Sequence, residues 1–129
     1  MHPDPATAGG IAETKRLGDY AQGRGIPMAL HLAASPIATM ACVHMAAATE
    51  NFLALEHHAA EVEFWSDLVT DLRRPLIQNG HITVPDTSGP GFGDLNEELL
   101  RRHLDPRGPV FFAETTHWDE ESSHDRLWS

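Results

Sequence analysis

Two short apolar runs each end on a side chain able to hold or move a proton: "PMALH" ends on His31 and "NFLALE" on Glu56. A third such group, Asp4, stands in the opening stretch "MHPDPATAGG". Imidazole is the side chain best suited to exchange protons near neutral pH. A carboxylate bonded to one of its nitrogens fixes the tautomer and leaves the other nitrogen to work. A second carboxyl can hydrogen-bond a substrate. A single strand-end His commonly does no more than bond a loop carbonyl. Two polar strand ends side by side, with an Asp at the same rim, would instead make an acid/base site.

Whether they meet depends on the elements that carry them. "GGIAETKRLGDYAQGRG" predicts a helix with Ile11, Leu17, Tyr20 and Ala21 near helical spacing and Gly25 as its stop. "IPMALH" predicts a strand of about six residues whose lack of polar alternation suits a sheet buried on both faces. In "SPIATMACVHMAAATE", Ser35 can cap a helix and Pro36 fits its first position. "NFLALE" is the next strand, and "HHAAEVEFWSDLV" reads as loop and then a short helix. Helix, strand, helix, strand with short connections is the order of a parallel α/β fold. In such folds ligands gather at the carboxyl ends of strands, where His31 and Glu56 both lie. Neighbouring strands are about 4.8 Å apart, within side-chain reach of one pocket.

Past Arg74 the style changes. "QNGHI" predicts a hairpin turn, and a Gly/Pro-rich loop follows. "DLNEELLRRHL" predicts a helix capped by Asp94 with Glu97 as the reciprocal partner. The tail "HWDEESSHDRLWS" is polar with two tryptophans.

The chain has 129 residues, the size of one modest domain, and 41% of them are hydrophobic, enough for a core. Nine Lys and Arg stand against nineteen Asp and Glu, a net charge of −10. That field repels phosphate backbones and anionic membranes, so neither nucleic acid nor membrane is an expected partner. No apolar run reaches the roughly 20 residues that span a bilayer, and the opening stretch lacks a signal peptide's pattern. Cys42 is the single cysteine, so no internal disulfide can form and a cytoplasmic setting is expected.

At "HPDPATAGGIAETKRLGDYA", "IPMALHLA" and "ATENFLALEHH", the sequence resembles the C-terminal barrel half of the enolase superfamily. Within it, the likeness is to the mandelate racemase-like group of acid-sugar dehydratases, of the gluconate and galactonate type. "PD…GGI" fits the tip of the sixth barrel strand, "ALH" the seventh and "LE" the eighth, and the tail looks like that of the sugar-acid dehydratases. The separation of Asp4 from His31 suits the group's Asp–His dyad. The resemblance implies a partial (β/α)8 barrel over residues 1–74 and a C-terminal extension over 75–129 that packs back on the barrel and capping domain. It makes His31 the general acid/base, Asp4 its orienting partner, and Glu56 a hydrogen-bonding group for the substrate carboxylate or its enolate. The reaction it implies removes the proton alpha to a sugar carboxylate, with the enediolate stabilised on Mg²⁺, and expels the beta hydroxyl to give a 2-keto-3-deoxy acid.

A complete barrel takes about 250 residues. By the resemblance, the three metal-binding carboxylates, the second-strand lysine motif and the capping domain lie outside this chain, and only the tip of the sixth strand is inside it. Asp4 is therefore expected on an untethered end, and both strand edges exposed. The chain reads as a fragment, inactive alone, whose partners are an acid sugar, the missing part of the barrel, and further copies in a homo-oligomer. Alternatives are a non-catalytic remnant or interaction module, and racemase or epimerase chemistry on the same scaffold.

Other motifs read more plainly. "GPGFGD" fits neither the dinucleotide fingerprint nor the P-loop and reads as a structural loop. His57 and His58, if extended, point to opposite faces, which argues against a metal pair and lets one approach the pocket. His44 reads as a packed or satisfied His, "DEES" as solvated surface, and Trp65, Trp118 and Trp128 as packing anchors.

Overall fold

A computed structural model describes residues 1–59 and 61–108; the predicted tail, with "DEES", Trp118 and Trp128, lies outside them. Helix α1 spans Gly10–Gln22. Gly25, at φ 68°, closes it: the N–H of Ile26 reaches back to Ala21 O and that of Gly25 to Gln22 O, both at 2.9 Å. This is a Schellman-type ending, which needs a left-handed residue. The buried face differs from the expected one. Thr14, Gly18 and Ala21 face inward, whereas Ile11 and Tyr20 are exposed. Close approach decides this: a Cβ on Gly18 would stand 3.0 Å from Thr49 Cγ2. A larger residue on that face would hold the helix off the core.

Strand β1 covers Met28–Leu30, three residues rather than about six, with both Met28 and Leu30 fully buried. Helix α2 spans Pro36–Ala47, with Pro36 at its start and Ser35 Oγ accepting from Ala38 N–H at 3.4 Å. Its residues separate two apolar clusters. Cys42 and Met45 pack with Ala21, Met28, Leu30 and Leu32. Met40 and Val43 pack with Ala59, Trp65, Val69 and Leu72. Each large side chain fully buried in this way contributes about 1.5–3 kcal/mol.

Strand β2, Phe52–Leu55, pairs parallel to β1 with Leu30 opposite Leu55. It is not covered as β1 is: Leu53 is 69% exposed. A 3-10 turn, Trp65–Leu68, follows, with Trp65 Nε1 donating to Ala34 O at 2.8 Å, the anchoring expected of that residue. Strands β3 (Ile77–Gln78) and β4 (His81–Ile82) form the expected hairpin, with Asn79 and Gly80 both at positive φ as its tight turn requires.

The Gly/Pro loop is structural. Gly93 N–H donates to Thr70 O and Thr70 N–H to Asp94 O, both at 2.8 Å. Its Pro90 carbonyl lies 3.1 Å from His44 Nε2, which satisfies that ring. Helix α3 spans Glu97–Arg102 and is capped by Asn96, whose Oδ1 accepts from Leu99 N–H, not by Asp94. Asp94 instead bonds its neighbour Leu95 N–H at 2.7 Å, two residues too early to cap this helix. Among the described residues no helix is long and apolar enough to cross a membrane.

Candidate active site

The first three residues lie along β1 as an added strand edge. Ala29 N–H donates to Met1 O at 2.9 Å and His31 N–H to Pro3 O at 3.0 Å, the two-residue stepping of a parallel ladder. The Met1 amino group donates back to Pro27 O at 2.7 Å, whereas Pro3 has no N–H to return. Asp4 then turns the chain into α1. Its Oδ1 accepts from Ala6 N–H at 2.8 Å, and its backbone carbonyl accepts from Thr7 and Ala8 N–H. Asp4 is thus held at both its backbone and its side chain, contrary to the untethered end expected from the sequence.

These bonds aim Asp4 Oδ2 at His31 Nδ1, 2.8 Å away. The Asp4 side chain is only 15% exposed and the His31 side chain 41%, so the carboxylate is sheltered while the ring stays open to solvent. On the other side, Glu56 N–H donates to Leu30 O at 2.9 Å, which carries the strand register one residue further. Glu56 therefore emerges beside His31, with Oε2 3.7 Å from His31 Nε2. Asp4, His31 and Glu56 share one rim.

Two further residues join them: His2, which the sequence reading did not select, and His58, one of the adjacent pair of which one was expected to approach the pocket. His2 Nε2 lies 3.1 Å from Glu56 Oε2, and its ring meets that of His31 edge-on at 5.5 Å between centroids. His58 Nε2 lies 2.5 Å from Glu56 Oε1. A signal for His2 existed: in an extended segment, residues 2 and 4 share a face. His57 takes the opposite direction, its ring 5.1 Å from that of Trp65.

The electrostatics follow from these contacts. The His58 hydrogen bond is the main cause holding the Glu56 carboxyl below its usual range, assisted by the His58 charge, the His2 bond and the His31 charge against some desolvation. A carboxylate on Nδ1 makes that nitrogen the donor, so the neutral His31 ring presents a lone pair at Nε2. The ring can accept a proton there as base or return one as acid. A metal ion is a poor fit to this set. Asp4 is committed to Ala6 and His31, and both Glu56 oxygens carry imidazoles. Among the described residues no group of three or more His, Cys, Asp or Glu could hold a metal ion.

A parallel strand pair joined through one helix, α2, with an Asp–His–Glu rim at its carboxyl end, defines a slice of a (β/α) barrel. Residues 1–98 match the family described as enolase C-terminal domain-like, and the chain belongs to that family. It is 45% identical over 112 residues to D-xylonate dehydratase of Haloferax volcanii, covering 87% of this chain and 26% of that protein. It is 32% identical over 94 residues to arabinonate dehydratase of Saccharolobus solfataricus, covering 71% of this chain and 24% of the relative. The structure is similar to that of a mandelate racemase/muconate lactonizing enzyme-like protein from Rubrobacter xylanophilus. The TM-score there is 0.77 at 39% identity, over 85% of this chain and 28% of that one. The chain thus spans about a quarter of the length of the curated relatives it matches.

Proposed function

We propose that this chain carries the Asp–His acid/base segment of an acid-sugar dehydratase. The observation that supports the reading best is the 2.8 Å Asp4–His31 contact, with His31 Nε2 turned toward Glu56 at the open rim. In the proposed reaction a base takes the proton alpha to a sugar carboxylate, and the resulting enediolate expels the beta hydroxyl. That hydroxyl takes up a proton and leaves as water, and the enol product tautomerises to a 2-keto-3-deoxy acid. His31 would move one proton at Nε2, either from the alpha carbon or to the departing hydroxyl. Asp4 holds the ring in the working tautomer, and Glu56 contacts the substrate.

This share of the site is incomplete for turnover. The Mg²⁺ that the family resemblance implies does not suit the residues described above, so its ligands would come from the complementary part of the barrel. That part is the first proposed partner; the uncovered face of β2 supports the need for it. Residues 75–129 would act as the extension that returns over the barrel, and the assembled protein would be a cytoplasmic homo-oligomer of carbohydrate-acid catabolism.

Co-expression with the complementary barrel portion, followed by a screen of acid sugars for keto-acid product, tests the reading. Product that disappears in His31→Asn is the expected result. Turnover that survives His31→Asn, or an assembled protein inert on the whole acid-sugar set, would overturn it. The 129-residue chain alone is expected to be inactive.

A further inference from the structure

The chain has three asparagines, and their side chains are not equally engaged. Asn51 donates from Nδ2 to Ile26 O at 2.7 Å, and Asn96 accepts at Oδ1 from Leu99 N–H while donating from Nδ2 to Asp67 O. The Asn79 side chain, exposed at the tip of the β3–β4 hairpin, bonds to none of the described residues. It is also the one asparagine followed by a glycine. The N–H of Gly80 is equally unclaimed among the described residues, and a Cβ built on Gly80 meets nothing within 4 Å. An unbonded side-chain amide thus stands next to an unbonded, unshielded backbone nitrogen. His81 completes the group, with Nδ1 2.8 Å from Asn79 O. A carbonyl oxygen only accepts, so Nδ1 carries the proton and donates it.

We propose that Asn79–Gly80 is a self-modification site, at which the Gly80 nitrogen closes on the Asn79 side chain while His81 stabilises the charge that forms. Gly80 N–H first loses its proton to solvent hydroxide. The negative charge spreads onto Asn79 O, the atom that His81 already holds. A donor aimed at the oxygen where charge develops favours that step. The nitrogen then attacks Asn79 Cγ: the N–Cγ bond forms and the Cγ–Nδ2 bond breaks. The departing nitrogen takes a proton from water and leaves as ammonia, and a cyclic succinimide remains. Water opens that ring at either carbonyl, giving aspartate or the isomer linked through its side chain. The turn must open locally to bring Cγ onto the nitrogen, and a hairpin of two residue pairs, Ile77–Ile82 and Gln78–His81, does so at low cost. The isomer lengthens the backbone of a two-residue turn, which breaks the pairing of Gln78 with His81. Ile82 packs against the second apolar cluster, so the change reaches the core. Neither His31 nor Glu56 takes part.

The 129-residue chain is to be incubated at mildly alkaline pH and digested at intervals, with each asparagine peptide followed by mass spectrometry and the isoaspartyl form assigned by fragmentation. Conversion is expected at Asn79, with Asn51 and Asn96 unchanged over the same period. His81→Phe keeps a ring at the position and removes the donor. Conversion there should slow by about 3- to 10-fold, the factor that one neutral hydrogen bond supplies. The direction separates chemistry from loosening of the hairpin, because a looser turn would react faster. His81→Gln, whose amide can still donate, should recover part of the rate. An Asn79 that stays intact, or one that converts no faster than Asn51 and Asn96, would overturn the proposal. So would His81→Phe reacting at or above the unsubstituted rate, or His81→Gln reacting no faster than His81→Phe.

Discussion

Asp4 Oδ2 meets His31 Nδ1 at 2.8 Å although the two residues are 27 positions apart, and neither side chain could be placed so by its own element alone. The backbone bonds of Pro3 to His31 and of Asp4 to Thr7 and Ala8 fix the carboxylate before it reaches the ring. The contact therefore has a directional consequence: it makes Nδ1 the donor and Nε2 the working nitrogen.

Asp4→Asn keeps the size of the side chain, but with its oxygen held by Ala6 N–H it turns an amide NH2 donor toward Nδ1 and so reverses this tautomer. In the assembled dehydratase, kcat should fall by about 100-fold or more, within the range that a positioned acid/base group contributes, while KM changes little. Steady-state kinetics on acid-sugar substrates would check it, with His31 ring ¹⁵N shifts reporting the lost tautomer. Equal activity in the variant would remove Asp4 from the mechanism.

His57 gives the chain a pH dependence separate from the site. Its ring nitrogens are buried without a hydrogen-bond partner among the described residues. Burial, and then the neighbouring His58 charge, lowers its pKa from 6.5. Below that value the unfolded chain takes up a proton that the folded chain resists. The unfolded state then binds more protons, so stability is retained above pH 6.5 and lost as pH falls through the lower folded value. His57→Leu should flatten that part of the curve. Urea midpoints measured on either side of pH 6.5 for both proteins would show it, and parallel curves would refute the assignment.

Much of the site was legible because parallel strands in register deliver their next residues to one rim. Leu30 opposite Leu55 is enough to bring His31 and Glu56 together. Helix α2 was legible for an equally local reason, the Ser35–Pro36 start. What escaped depended on contacts between segments. Thr14 and Gly18 look like poor core residues until the proximity of Thr49 demands a small face there. The competition between Asp94 and Asn96 was settled by where the loop's pairing with Thr70 ends and the helix can begin. His2 and His58 gained their meaning only from Glu56, a partner that no spacing rule connects to both.

Strand β2 should make the isolated chain self-associate. Leu53 is 69% exposed and Phe52 36%, on a strand that among the described residues pairs on one side only, with β1. An open apolar strand edge invites pairing with another. Leu53→Lys should lower the apparent mass in light scattering. Its cost in stability should be small, within about 0.5 kcal/mol, because the side chain is already largely in water. An unchanged mass would place the association surface elsewhere.

Gly18 should tolerate no larger residue. The Cβ of Gly18→Val would start 3.0 Å from Thr49 Cγ2, and the branched side chain would press further into a contact that also includes Met28 Cε at 3.7 Å. Overpacking of this kind costs about 1–3 kcal/mol. A lowered thermal midpoint is expected in Gly18→Val, with partial recovery when Thr49→Ser removes the opposing methyl. The recovery ties the loss to this contact and not to helix propensity, which the second change leaves alone.

Cys42 should behave as a shielded thiol. Its side chain, carried on α2, is fully buried within the first apolar cluster. Burial, aided by the charge of Asp4, raises its pKa from 9.0 to about 11. The thiolate is the reactive form, so alkylation should be slow at mildly alkaline pH and become fast once urea unfolds the chain. The linked stability has the opposite sense to that of His57. It is fully present below pH 9.0, where both states hold the proton, and is lost as pH rises toward about 11, because the unfolded chain ionises first. Cys42→Ala should remove this alkaline slope while leaving a small cavity, so its curve should start lower and stay flatter. Rapid alkylation of the native chain by iodoacetamide would contradict the burial on which the whole argument for this residue rests.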